Sequence, residues 1–140
     1  MAANVKHNAP GCDAVIMAAA VADYRPVEVL VHKLKKTPGD LTLRLERTED
    51  ILASLGQMKR PGQILVGFAA ETDDLLASAK RKLESKNLDW IAANKVCDGF
   101  ASDTDKVTLL GRNGEIVELP LASKPEVAEL ILDRIFGKDK

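Results

Sequence analysis

Aromatic residues are scarce: Phe, Trp and Tyr make up 4% of the 140 residues. Any core must therefore be aliphatic, and 46% hydrophobic residues suffice to build one in a chain the size of a single ordinary domain. Cysteine is rarer still. Cys12 and Cys97 show no CxxC spacing, so a disulfide framework and a zinc ribbon are both excluded. Two small hydrophobes in a reduced cytoplasm is the expectation. His7 and His32 stand far apart and form no HExxH or other metal signature. A formal net charge of −1 provides no basic field for nucleic acid. No apolar stretch approaches the roughly 20 residues that span a bilayer. The opening "MAANVKHNAPG" lacks the apolar h-region of a signal peptide. Both glycine-rich phosphate loops, GxGxxG and GxxxxGK[ST], are absent, which weighs against an ordinary dinucleotide dehydrogenase and a P-loop enzyme.

What is present alternates between strands and helices. Ala14–Ala20 is a continuous apolar run, the pattern of a strand buried on both faces of a parallel sheet. Residues 41–45, "LTLRL", alternate strictly, as in a strand with one apolar and one polar face. Residues 48–58 read as a helix with Thr48 as N-cap and Glu49 and Asp50 at its positive end. Pro61-Gly62 breaks it, and "QILVGF" (63–68) is a second buried strand. Thr72 is the expected cap of the next helix, with Asp73 and Asp74 in its first turn. That helix runs to about Lys86 and has a basic second half: Lys80, Arg81, Lys82, Lys86. "LDWIAAN" (88–94) is a third buried strand, completing a strand–helix–strand unit. Residues 97–105 form a turn-rich loop. "KVTLL" and "EIVEL" flank Asn113-Gly114, a strong hairpin signal. Ser123-Lys124-Pro125-Glu126 is a capping box that opens a C-terminal amphipathic helix to about Phe136. The fold class is α/β: an open, mostly parallel Rossmann-like sheet with flanking helices and one antiparallel hairpin.

In such sheets ligands bind beyond the carboxyl ends of the strands. Three of those ends, "AAAVADYR", "GFAAET" and "AANKV", are built from small residues. Small side chains let a ligand approach the backbone; they equally admit a neighbouring helix. Without a glycine-rich loop, phosphate-binding cations must be lysines. "HKLKK" (32–36), followed by a turn at 37–40, is one cluster; it is either a binding loop or a solvated face. Lys82 and Lys86, spaced i, i+4, share a helix face. Asp23 is placed to bind a sugar hydroxyl, a base amino group or a metal, or simply to sit at the surface before a turn.

"AAAVADYRP", "HKLKK", "DIL", "GFAAET", "KNLDWIAAN" and "GF.SD", in this order, resemble phosphopantothenoylcysteine synthetase. This is the synthetase part of the bifunctional coenzyme A biosynthesis protein of bacteria. The resemblance covers residues 13 to 136. It implies a phosphopantothenate–cysteine ligase: the carboxylate of 4′-phosphopantothenate attacks the α-phosphate of CTP, giving an acyl-cytidylate. The amine of L-cysteine then displaces CMP, with Mg2+ assisting the triphosphate. Position by position, Asp23 matches an acid that contacts CTP. Lys33 matches the first lysine of a mobile flap and stabilises charge at the phosphates, the catalytic role in this set. Glu49, Asp50, Ile51 and Leu52 match the segment that lines the nucleotide, with Glu49 standing where the family has proline. Phe68 matches the aromatic in contact with the nucleotide, and Lys82 and Lys86 match two helix lysines that complete the site. No resident metal and no flavin are expected here. The "LTLRL" strand matches the arm through which the family forms homodimers.

The family's glycine-rich first strand–turn, and the asparagine that stabilises its acyl-cytidylate, have no counterpart in this sequence. The resulting expectation is a single domain over residues 1–140, truncated at its N-terminus and inactive alone, with a sheet edge or apolar face left exposed. Two alternatives accompany the ligase reading. One is a non-catalytic nucleotide-binding or dimerisation module; the other is a dehydrogenase fragment, which the lysine-based phosphate site disfavours.

Overall fold

The computed structural model describes residues 1–35, 38–72, 74–95 and 103–137. In chain order the elements are α1 (Ala2–Asn8), a 3-10 turn (Ala9–Gly11), β1 (Ala14–Met17), β2 (Tyr24–Pro26), β3 (Leu45–Arg47) and α2 (Ile51–Met58). They continue with β4 (Ile64–Glu71), α3 (Leu75–Ser85), β5 (Trp90–Lys95), β6 (Thr104–Asp105), β7 (Val107–Gly111), β8 (Ile116–Glu118), β9 (Ala122–Ser123) and α4 (Lys124–Phe136). The Cα trace separates into two units, residues 1–19 with 51–140, and residues 20–50.

The larger unit is a five-stranded sheet in the order β1-β4-β5-β7-β8. β1, β4 and β5 are parallel; β7 and β8 join antiparallel. This is the mixed α/β architecture expected from the sequence, with flanking helices and one hairpin. Alternation along the strands distributes side chains to two cores. On one face Leu65, Ala69, Ile91 and Ala93 pack with Ile51 and Leu55 of α2 and Ala79 and Leu83 of α3. On the other, Ala92, Val107 and Leu109 pack with Val127 and Ile131 of α4. The amino ends of β4 and β5 are tied through Asp89, whose carboxylate accepts from Lys59 Nζ (2.7 and 2.8 Å) and from the Leu65 amide (2.7 Å).

Local signals explain several boundaries. The capping box forms: the Ser123 side chain accepts from the Glu126 amide, and the Glu126 carboxylate accepts from the Ser123 amide and hydroxyl. The hairpin forms as well. Its turn is closed by Gly114 N–H donating to the Gly111 carbonyl (3.0 Å), with Gly114 at φ +87, the left-handed residue of a three-residue hairpin loop.

Other expectations are corrected. The apolar run from Ala14 is a strand only to Met17, and it is an edge strand. Ile16 is 39% exposed and Ala18, Ala19 and Ala20 lie beyond it at the surface, so the run is not buried on both faces. In the 41–45 segment only Leu45 belongs to a strand; residues 41–44 pair with nothing regular, and Leu41 and Leu43 are exposed. Thr48 is not a cap: its amide and hydroxyl donate to the Asp23 and Ala22 carbonyls, and the helix starts at Ile51 because those bonds hold Thr48 in extended chain. β4 runs three residues past Phe68, to Glu71, because β5 offers partners as far as Lys95. Asp74, at φ 44, rather than Thr72, occupies the N-cap of α3. Cys12 is exposed, not a buried hydrophobe. Cys97, Asp73, Lys36, Thr37 and most of the 97–105 loop lie outside the described residues.

The smaller unit, residues 20–50, is organised around the β2–β3 pair, with Tyr24 opposite Arg47 and Pro26 opposite Leu45. Arg25 and Glu46 form an ion pair across it at 2.7 Å. The Arg47 guanidinium stands 5.9 Å from the Tyr24 ring centre, a cation–π distance. Val29, Val31, Leu41 and Leu43 are all largely exposed in this unit.

Candidate functional site

Because β1, β4 and β5 are parallel, their carboxyl ends share one margin of the sheet. α3 starts four residues after β4 ends, so its amino terminus faces that margin. α2 does the same. Its far end is fixed at the other margin, where Asn87 Nδ2, just past α3, donates to the Gly56 carbonyl (2.7 Å). Two helix amino termini therefore bring partial positive charge toward the strand ends.

On the α3 side of the sheet, Glu71 ends β4 and lies in register with Lys95 of β5. Lys82 Nζ donates to Glu71 Oε1 at 2.7 Å. Burial alone would push the Glu71 carboxyl up; hydrogen bonds from Lys82 and Ser78, with the positive field of Lys82 and Arg81, hold it below its ordinary value. A shallow, open surface hollow along α3 is lined by Ser78, Arg81, Lys82, Glu84 and Ser85. On the α4 side of the sheet, Phe68 is 38% exposed and Ala70 follows it. Asn94, in register with Ala70, donates to the Asp105 carboxylate at 2.9 and 3.1 Å. Phe68 and Lys82 thus belong to opposite faces of one strand margin.

The remaining residues singled out from the sequence are dispersed. Ile51 is buried and Leu52 packs against the same core. What these two place toward the strand ends is the α2 amino terminus, not their side chains. Glu49 and Asp50 are exposed and engaged in polar interactions. Lys86 is the C-cap of α3, one turn, about 6 Å, further from the strand ends than Lys82. Asp23 and Lys33 belong to the smaller unit, where both side chains are exposed. Asp23 there accepts the Thr48 amide through its carbonyl. Among the described residues, no group of three His, Cys, Asp or Glu side chains is placed to hold a metal ion. No helix is long and apolar enough to cross a membrane, again among the described residues. A separate cavity of about 450 Å³ opens between α3 and the β7–β8 hairpin, among Leu83, Asn87, Leu110, Arg112 and Ile116. It contains none of the candidate nucleotide-binding residues, although Lys80 of the basic half of α3 lines it.

Sequence reasoning overlooked Glu71, Ser78, Asn94 and Asp105. Glu71 lies inside the "GFAAET" segment, but only tertiary pairing reveals that its carboxylate meets a lysine eleven residues later. Ser78 had one available signal, its i, i+4 spacing to Lys82.

The chain is 50% identical over 131 residues to the coenzyme A biosynthesis bifunctional protein CoaBC of Bacillus subtilis (strain 168), covering 91% of this chain and 32% of that protein. It is 43% identical over 128 residues to a protein named cysteine/cysteine sulfinic acid decarboxylase, from an unknown prokaryotic organism, covering 89% of this chain and 36% of that one. The chain thus spans about a third of the length of these curated relatives. A crystal structure of the C-terminal domain of a coenzyme A biosynthesis bifunctional protein CoaBC superposes with a TM-score of 0.76 at 42% identity, covering 96% of this chain and 58% of that one. The family model described as the DNA/pantothenate metabolism flavoprotein C-terminal domain matches residues 1–138, and the chain belongs to that family.

Proposed function

We propose that this chain supplies the nucleotide-binding part of a CTP-dependent ligase that joins 4′-phosphopantothenate to L-cysteine in coenzyme A biosynthesis. The observation that carries the reading is Lys82, held at the carboxyl margin of the parallel strands by Glu71. A triphosphate needs concentrated positive charge, and a sheet without a glycine-rich loop must supply it from lysines and helix amino termini. In this reading Lys82 and the amino ends of α2 and α3 attract the phosphates. Lys86 adds charge further along α3, Phe68 offers an apolar face to the base, and Asp23 contacts the nucleoside. Lys33, on its exposed segment, stabilises the charge that builds at the α-phosphate as the carboxylate attacks. Magnesium would arrive with the triphosphate, whose oxygens supply most of its ligands. The protein acts in the cytoplasm as a homodimer, with residues 1–140 as one part of a longer synthetase domain.

Thermal unfolding with CTP, ATP and magnesium tests this. CTP at a hundredfold excess over its dissociation constant stabilises a single-site binder by about 2.7 kcal/mol. The expectation is stabilisation of the parent chain by CTP and less of it in Lys33→Gln. Equal stabilisation of both overturns the role of Lys33; none in the parent overturns the nucleotide reading.

A second reading follows from the relative whose name is a decarboxylase. The chain covers about a third of that protein, so the named activity has two further thirds in which to reside. Release of carbon dioxide from cysteine sulfinic acid by this chain alone would replace the ligase with a decarboxylase.

A further inference from the structure

Glu71 and Lys82 form an asymmetric pair. The Glu71 side chain is 16% exposed, whereas that of Lys82 is 40% exposed. The carboxylate is thus drawn inward and the ammonium left open to the hollow along α3. An ordinary surface ion pair exposes both partners and contributes little. Here the carboxylate is the more buried partner, and Lys82 is its side-chain donor at 2.7 Å. Lysine carries three N–H donors. One goes to Glu71. The four-carbon stem of a lysine has many rotamers, and restricting them before a ligand arrives removes part of the entropic cost of binding.

We propose that Glu71 is a positioning residue that holds Lys82 Nζ at the carboxyl end of β4 in the orientation that meets an incoming phosphate group. This rests on the nucleotide reading above. Glu71 does not itself touch the ligand; its carboxylate faces the helix and acts through Lys82.

Two measurements test it. The first needs no nucleotide: limited acylation of lysines followed by mass spectrometry, with Lys80 on the same helix as internal reference. Lys82 should react more slowly in the parent than in Glu71→Gln, by up to about five-fold, as expected for one ion pair at a half-exposed position. Glutamine keeps the length of the side chain but removes the charge. The second is a double-mutant cycle on binding of magnesium–CTP. Glu71→Gln should weaken binding several-fold in the parent and add nothing in the Lys82→Ala background. An unchanged Lys82 acylation rate in Glu71→Gln overturns the inference alone, whatever the nucleotide result. Additive effects in the cycle also overturn it, because a merely structural glutamate would weaken binding independently of Lys82. A parent chain that binds no CTP overturns the proposed function and the inference with it.

Discussion

Replacing Gly56 by alanine sets two physical effects of opposite sign against each other. Gly56 lies inside α2, and on helix propensity alone alanine there stabilises by about 1 kcal/mol. The surroundings oppose this. A Cβ on Gly56 would stand 1.9 Å from the Lys86 carbonyl oxygen and 2.8 Å from its carbonyl carbon. The clash is with backbone at the C-cap of α3, not with a side chain that can swing away. To reach even 3.0 Å the two segments must part by about 1 Å, which strains the bond from Asn87 Nδ2 to the Gly56 carbonyl and the seat of fully buried Leu88. Overpacking of this kind costs about 1–3 kcal/mol or more, and loss of the Asn87 bond adds about 1 kcal/mol. The expected net effect is a destabilisation of about 2 kcal/mol. In urea, with a slope of about 1–3 kcal/mol per molar, the unfolding midpoint should fall by roughly 1 M. A Gly56→Ala variant as stable as the parent, or more stable, would refute the argument and show that the α2–α3 contact yields at little cost.

Two further outcomes follow from polar groups. Asp89→Ala leaves Lys59, 12% exposed, without its carboxylate and removes the acceptor of the Leu65 amide; a loss of about 3 kcal/mol is expected in chemical denaturation, and a change below 1 kcal/mol would contradict the role assigned to Asp89. The second concerns pH. The folded Glu71 carboxyl sits below its unfolded value of about 4.5, so its contribution is fully present above that value and is lost as pH falls through the folded value. Glu71→Gln should therefore be less stable than the parent at neutral pH, by under about 1 kcal/mol for a pair whose lysine stays partly exposed. The gap should close in thermal melts as pH falls below the ordinary carboxylate range; a gap that widens there reverses the sign and refutes the assignment.

Much of the fold was legible because its signals are local. The capping box at Ser123 and Glu126 works within a single turn, and Asn113-Gly114 specifies a hairpin within a few residues. Both appear in the structure where the sequence places them. The long apolar strands "QILVGF" and "LDWIAAN" were recognisable because a strand buried on both faces has no polar alternation. The errors arose where length and burial depend on a neighbour. Ala14–Ala20 has the composition of a central strand, yet it lies at the edge of this sheet and pairs on one side only. "LTLRL" has strand periodicity, yet only Leu45 enters a strand, opposite Pro26, while Arg44 just accepts the Val27 amide. Thr48 is a good N-cap residue by type, but two carbonyls at Ala22 and Asp23 claim its donors.

The candidate site divides in the same way. Residue type and i, i+4 spacing alone determined that Lys82 and Lys86 share a helix face, and the motifs by themselves carried the family. Which lysine is held at the strand ends was decided only by tertiary structure. The extension of β4 to Glu71 depends on hydrogen bonds from β5, and the meeting of Glu71 with Lys82 depends on how α3 packs back across the sheet. Spacing along the chain records what a helix or turn does to its own neighbours. A pairing across eleven residues and two elements is set by the packing of the core beneath them, and no local pattern contains it.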